Sequence, residues 1–225
     1  MDVQTLIERH VNALGGIRAV LDVRALSMRG LVTDGRHRTR AVRSWRLRPN
    51  YLRIDVEEAS GIAVEAWDGS HGWVVQPEES PYPAIVWGHT AEALRRDSTF
   101  DSPLILPEQH GARVTGLGER VVSGLPVYGV RVVAQDQSQT DFYLHRQSYM
   151  IAMTESRPPL TDVNASPCKC LYTDYRVVSG MLIPHYVVTL CTGNGRHETF
   201  SWEEITANPP LDPDFFQMSA AVAGR

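Results

Sequence analysis

The sequence predicts a mainly β chain: one antiparallel sheet of about eleven strands, with an N-terminal helix and one inserted helix. Three observations carry this expectation. The first residues repeat their apolar side chains at helical spacing and stop at Gly15-Gly16. From Ala25 onward the apolar residues recur at every second position. Turn signals (Pro49-Asn50, Asp68-Gly69, Ser179-Gly180) separate the alternating segments at short intervals, as in an antiparallel meander.

The helix spans 2–14, where Val3, Leu6, Ile7, His10, Val11 and Leu14 form one stripe. A second helical turn fits Ile17–Val23. Strands are expected at Ala25–Thr33, His37–Arg48, Tyr51–Glu57, Ile62–Trp67 and Gly72–Gln76. Residues 77–88 are rich in proline and read as a connection. Thr90–Asp101 reads as the inserted helix, with Ala91, Leu94 and Phe100 inward, ended by Ser102-Pro103. Strands resume at Ala112–Val122, Leu125–Ala134, Thr140–His145 and Tyr149–Ser156. They finish with Lys169–Val177, Met181–Leu190 and Glu198–Thr206, and 157–168 is a loop. The tail keeps one apolar anchor, Phe215-Phe216. A sheet this wide must curl, because a flat twisted sheet of that width is unfavourable.

The chain has 225 residues, and no linker divides it, so it is expected to form a single domain over 1–225. A chain of this length buries roughly 70% of its unfolded surface and folds without disulfides or metal. The net charge of −4 speaks against nucleic acid as a partner. Seven arginines (Arg36, Arg38, Arg40, Arg43, Arg46, Arg48 and Arg53) fall within two neighbouring strands and are expected on the solvent face. Cys168, Cys170 and Cys191 are an odd set, which fits reduced thiols, although a cross-strand bridge from Cys191 to either of the others stays open. No paired spacing supplies a zinc site, so neither metal nor cofactor is expected. No apolar stretch is long enough to span a bilayer, and the start lacks the features of a secretory leader. The expected compartment is the cytoplasm if Met1 is the native start, and the periplasm if a leader has been removed.

The order of several short motifs resembles a known family. His10–Gly16 precedes a strand with the central triplet Met28-Arg29-Gly30. Arg48-Pro49-Asn50-Tyr51-Leu52-Arg53 follows, then Trp67-Asp68-Gly69 and Gly72-Trp73. The C-terminal third carries Tyr172-Thr173-Asp174-Tyr175-Arg176, Gly180-Met181-Leu182-Ile183-Pro184 and Ile205–Asp212 ahead of Phe215-Phe216. From about residue 7 to 216 this resembles the bacterial outer-membrane lipoprotein-sorting proteins, the LolA/LolB-like carrier and receptor family. The resemblance implies an open half-barrel with helices lying as a lid across an apolar cavity. It also implies that an acyl chain or similar molecule is held there. Family members usually work in the periplasm behind a signal or lipid-anchor cysteine. Neither feature stands here, which implies reuse of the cavity on another apolar compound.

Two functions are therefore expected. The first is binding of a lipid, acyl chain or polyketide-like molecule between the sheet and the inserted helix. Trp45, Trp67 and Trp87 are the candidate gripping aromatics, drawn from a set that includes Trp73 and Trp202. Met28, Met150 and Met153, with Met181, are the candidate adaptable walls. The second is a cofactor-independent cyclase or isomerase using the same cavity. No catalytic motif is present, so its acid–base groups would be Glu65, which shares a strand face with Trp67, and Tyr143 with His145. If Phe142 and Leu144 point inward instead, Tyr143 and His145 belong to the wet face.

Overall fold

The computed structural model describes residues 1–159, 166–193 and 195–218. Asp2 caps α1 (Val3–Ala13), its carboxylate accepting the Thr5 N–H at 2.9 Å and the Thr5 hydroxyl at 2.6 Å. Gly15 and Gly16 take positive φ and end the helix where expected, and α2 (Ile17–Asp22) follows.

Thirteen strands are found among the described residues. They are β1 (Ala25–Asp34), β2 (Thr39–Leu47), β3 (Tyr51–Glu58), β4 (Gly61–Asp68), β5 (Gly72–Gln76) and β6 (Ser80–Val86). After α3 (Gly88–Ser98) come β7 (Arg113–Val122), β8 (Leu125–Val133), β9 (Gln139–His145) and β10 (Ile151–Arg157). The last are β11 (Cys168–Val178), β12 (Met181–Cys191) and β13 (His197–Ala207). They form one sheet in the order β6-β5-β4-β3-β2-β1-β13-β12-β11-β10-β9-β8-β7, so β6 and β7 are its edges and the sheet is not closed into a barrel. The strands joined by short turns pair antiparallel, as such turns require.

The proline-rich stretch that reads as a connection is β6. A strand at the sheet edge tolerates Pro81 and Pro83, because its outer side has no ladder to donate to. The inserted helix starts two residues earlier than expected and ends at Ser98, whose hydroxyl donates back to the Arg95 carbonyl at 2.8 Å. Phe100 therefore lies outside the helix, under the Arg48 guanidinium at 4.7 Å.

The chain divides into two compact units. In the first, Met1–Asp22 with Ser102–Thr199, α1 lays Leu6 and Ile7 on Val130, Val132, Phe142 and Leu144. The other face of the same strands carries Val127, Tyr143 and Met153 beside charged side chains. There Asp141 accepts Arg131 at 2.6 and 2.7 Å, and Lys169 meets Glu155 at 2.9 Å. The Arg131 guanidinium holds the Asp141 carboxyl below the usual carboxylate range.

In the second unit, Val23–Asp101 and the chain from Phe200, strands β1 to β5 bury residues on both faces. One face holds Met28, Val32 and Val42 against Trp202, and also Leu52 and Trp67 under α3. Gly30 belongs to this face, and a Cβ there would run into the Ser201 carbonyl, so the central glycine of β1 permits a close approach to β13. The opposite face buries Val64, Ala66, Trp73 and Val75. The tail turn Pro213–Phe216 lies on that side: Phe215 meets Trp45 at 5.1 Å, Phe216 meets Tyr51 at 5.4 Å, and Trp73 Nε1 donates to the Phe216 carbonyl at 2.8 Å.

This arrangement corrects the expectation of a purely wet arginine face. Arg53 is largely covered, between the rings of Trp45, Trp73 and Phe215 at 6.0, 5.7 and 5.0 Å, with Asp55 at 2.8 Å neutralising it. The expectation of reduced thiols is likewise overturned. Antiparallel register puts Cys168 directly opposite Cys191, and the two form a disulfide, while Cys170 remains a thiol near the Thr189 hydroxyl. Among the described residues, no helix is long and apolar enough to cross a membrane.

Candidate functional site

In the second unit a patch of apolar sheet is covered by a separate helix, α3. Register aligns Leu26, Arg46, Leu52, Trp67, Gly72 and Val86 in one row across β1 to β6. The next row holds Met28, Ser44, Ile54, Glu65 and Val74 on the same face. On these rows α3 sets Leu94, 5% exposed, and Ala91, above Leu52, Trp67, Ile54, Val74 and Val86.

The seam is packed shut. A Cβ placed on Gly72 would come within 2.9 Å of Val86 and 3.1 Å of Leu94. The helix that closes it is lightly held. Leu94 and Ser98 are its only fully buried residues, and its N-cap, Trp87, makes no side-chain capping bond. Its C-terminal end is tethered more firmly: Arg48 pairs with Asp101, and the Phe100 N–H donates to the Pro49 carbonyl at 3.2 Å. Inside the seam Trp67 Nε1 is buried without an acceptor. An unmet buried donor of this kind costs about 1–3 kcal/mol.

Two hollows are described besides this seam. A groove of about 250 Å³ at the far end of β4 and β5 is lined by Glu58, Glu65, Glu78 and Glu79 with Arg38, and is mostly polar. A dimple of about 30 Å³ lies among Val122, Leu125, Val127, Tyr143, Met153 and Leu171, enough for about one water-sized group. Neither is an apolar chamber of acyl-chain size. No group of three His, Cys, Asp or Glu side chains among the described residues is placed to hold a metal ion.

The residues singled out from sequence fall in several places. Met28 and Trp67 share the α3 face of the second unit. Trp45 is on the opposite face, against Phe215. Trp87 is 72% exposed at the start of α3. In the first unit, Met150 packs with Leu14, Val20 and Ile105, whereas Met153 lies with Val127 and Tyr143 on the face away from α1.

Glu65 is exposed and lines the polar groove of the second unit. Tyr143 and His145 belong to the first unit, on the face opposite Phe142 and Leu144. The Tyr143 hydroxyl donates to Glu155 at 3.3 Å, and burial pushes its pKa up. His145 Nδ1 accepts the Gln147 and Ser148 amides at 3.3 and 3.4 Å, which occupies it in the β9–β10 turn.

Sequence reasoning named Leu94 and Leu52 as inward but did not assign them to the site, and it placed His10 on the apolar stripe of the first helix without giving it a role. His10 lies on the apolar stripe of α1, 1% exposed, with Nδ1 2.8 Å from the Tyr149 carbonyl. Its position within that stripe was the available signal.

In fold, this open antiparallel sheet with its helices is similar to solved structures of LolA-type lipoprotein-sorting proteins. Three solved structures share this fold. One is a LolA superfamily protein from Nitrosomonas europaea, with a TM-score of 0.59 at 14% identity, over 96% of this chain and 98% of that one. Another is an outer-membrane lipoprotein-sorting protein domain from Vibrio parahaemolyticus, with a TM-score of 0.60 at 10% identity, over 96% and 95%. The third, a DUF1329 family protein from Desulfovibrio piger, has a TM-score of 0.64 at 13% identity, over 96% and 98%. No family model matches the sequence, and no curated protein does either. The likeness is one of fold.

Proposed function

We propose that the chain binds an apolar or amphipathic small molecule (a lipid, an acyl chain or a polyketide-like compound) against β3, β4 and β5, with α3 displaced as a lid. The observation that carries this reading is the mismatch at the seam. A broad apolar surface of Leu52, Ile54, Trp67, Val74 and Val86 is closed by a helix that sets only Leu94 and Ala91 on it. Burying each methylene of a ligand contributes about 0.8 kcal/mol. A ten-carbon chain contributes about 8 kcal/mol in this way, from which the costs of association and of displacing α3 are subtracted.

The fold shared with a lipoprotein-sorting domain supports the same reading. The Cys168–Cys191 disulfide supports an oxidising compartment such as the periplasm as the place of work.

The test is native mass spectrometry of the purified chain after incubation with a bacterial membrane lipid extract. A mass adduct is expected that survives gel filtration and releases a lipid or fatty acyl compound on denaturation. A chain that stays at its own mass in every extract overturns the proposal.

A further inference from the structure

Among the described residues, His10 Nε2, Arg40 Nε and Trp67 Nε1 are buried without a hydrogen-bond partner. Two of these side chains have other polar atoms that are engaged. His10 bonds through Nδ1 to Tyr149, and Arg40 pairs through its terminal nitrogens with Glu58 and Asp34. Trp67 has one polar atom only, so its whole hydrogen-bonding capacity is unmet.

The surroundings explain why. Trp67 is 7% exposed in a cluster with Leu52, Leu94, Ile54 and Val86, whose side chains offer no acceptor. Trp73, the neighbouring buried tryptophan, shows the usual outcome: its Nε1 donates to the Phe216 carbonyl.

We propose that Trp67 Nε1–H is the donor that receives a carbonyl oxygen of the bound molecule, so that the ligand is an uncharged acyl ester or amide rather than a bare hydrocarbon or a fatty-acid anion. This rests on the ligand-binding reading of the α3 seam. An indole N–H is a neutral donor with no accepting capacity. It matches a neutral carbonyl. A carboxylate in the same place would remain a buried charge, which one neutral donor does not offset.

The experiment uses the full chain and three probes: methyl laurate, sodium laurate, and N-phenyl-1-naphthylamine, an apolar dye without oxygen. Binding is read by dye fluorescence and its displacement. The indole N–H resonance of Trp67 is followed in a ¹H–¹⁵N spectrum of the unsubstituted chain, which does not depend on any variant folding. Methyl laurate is expected to displace the dye, to move that resonance downfield, and to outcompete laurate at neutral pH. Trp67→Phe is expected to weaken methyl laurate about tenfold, which corresponds to about 1.4 kcal/mol, and to weaken the oxygen-free dye by clearly less.

If dye and ester both bind while the resonance stays still and Trp67→Phe changes nothing, the role of Trp67 falls and the binding seam stands. Tighter binding of laurate than of its ester overturns the neutral-carbonyl class. If neither dye nor ester binds, the seam reading fails and takes this inference with it.

Discussion

His10 shows how burial sets the behaviour of a single side chain. Its ring is enclosed between α1 and the β9–β10 turn, and desolvation pushes its pKa below the ordinary histidine value, more than the bond to Tyr149 raises it. The unfolded chain takes up this proton at about pH 6.5, and the folded chain resists it to lower pH. The stability contributed by neutral His10 is therefore fully present above about pH 6.5 and is lost as pH falls through the lower folded value. Thermal melts from pH 7.5 down to 5 are expected to show a falling Tm. In His10→Asn, which keeps a donor near the Nδ1 position but does not titrate, the decline across that window should flatten. An equal slope in both proteins would show that other groups carry it.

At the scale of elements, α3 is the piece whose stability is most separable from the rest. Leu94→Ala removes its main anchor, and large-to-small changes of this kind cost about 2–5 kcal/mol in a rigid core. Here the loss should fall on α3 alone, because the sheet beneath keeps its own ladders. Hydrogen exchange is expected to lose protection across Gly88–Ser98 while β3, β4 and β5 keep theirs. Uniform loss over the whole unit would mean that α3 is part of the core rather than a lid. The strand β6 carries a different lesson. Its prolines hide it from pattern reading, yet on an edge they also blunt pairing with other chains.

At the scale of the molecule, the disulfide ties β11 to β12 across a separation of 23 residues. Closing a loop of that size stabilises a chain by about 3 kcal/mol in the loop-entropy model. The Cys168→Ser/Cys191→Ser variant is expected to unfold at lower denaturant by roughly that amount. Thiol counting of the unreduced protein should find one reactive group, Cys170. Three reactive thiols in protein purified without reductant would remove both the bridge and its argument for an oxidising compartment.

What the sequence determined by itself was everything that depends on local chemistry. Alternation placed β1 to β5 and their inward residues, the Asp68-Gly69 hairpin joined β4 to β5, Gly15-Gly16 stopped α1, and motif order pointed to the lipoprotein-sorting fold. What only the tertiary structure decided was which face each strand turns to which partner. Alternation cannot relate Trp45 on β2 to Trp67 on β4; the register puts them on opposite faces, where a tail turn covers one and α3 the other. The same holds for Cys168 and Cys170: both share a face, and only the β11–β12 register chooses which one meets Cys191. Nor does any pattern reveal that the indole of Trp67 lacks an acceptor, since a hydrogen-bond partner is a matter of position in space, supplied by segments far away in sequence.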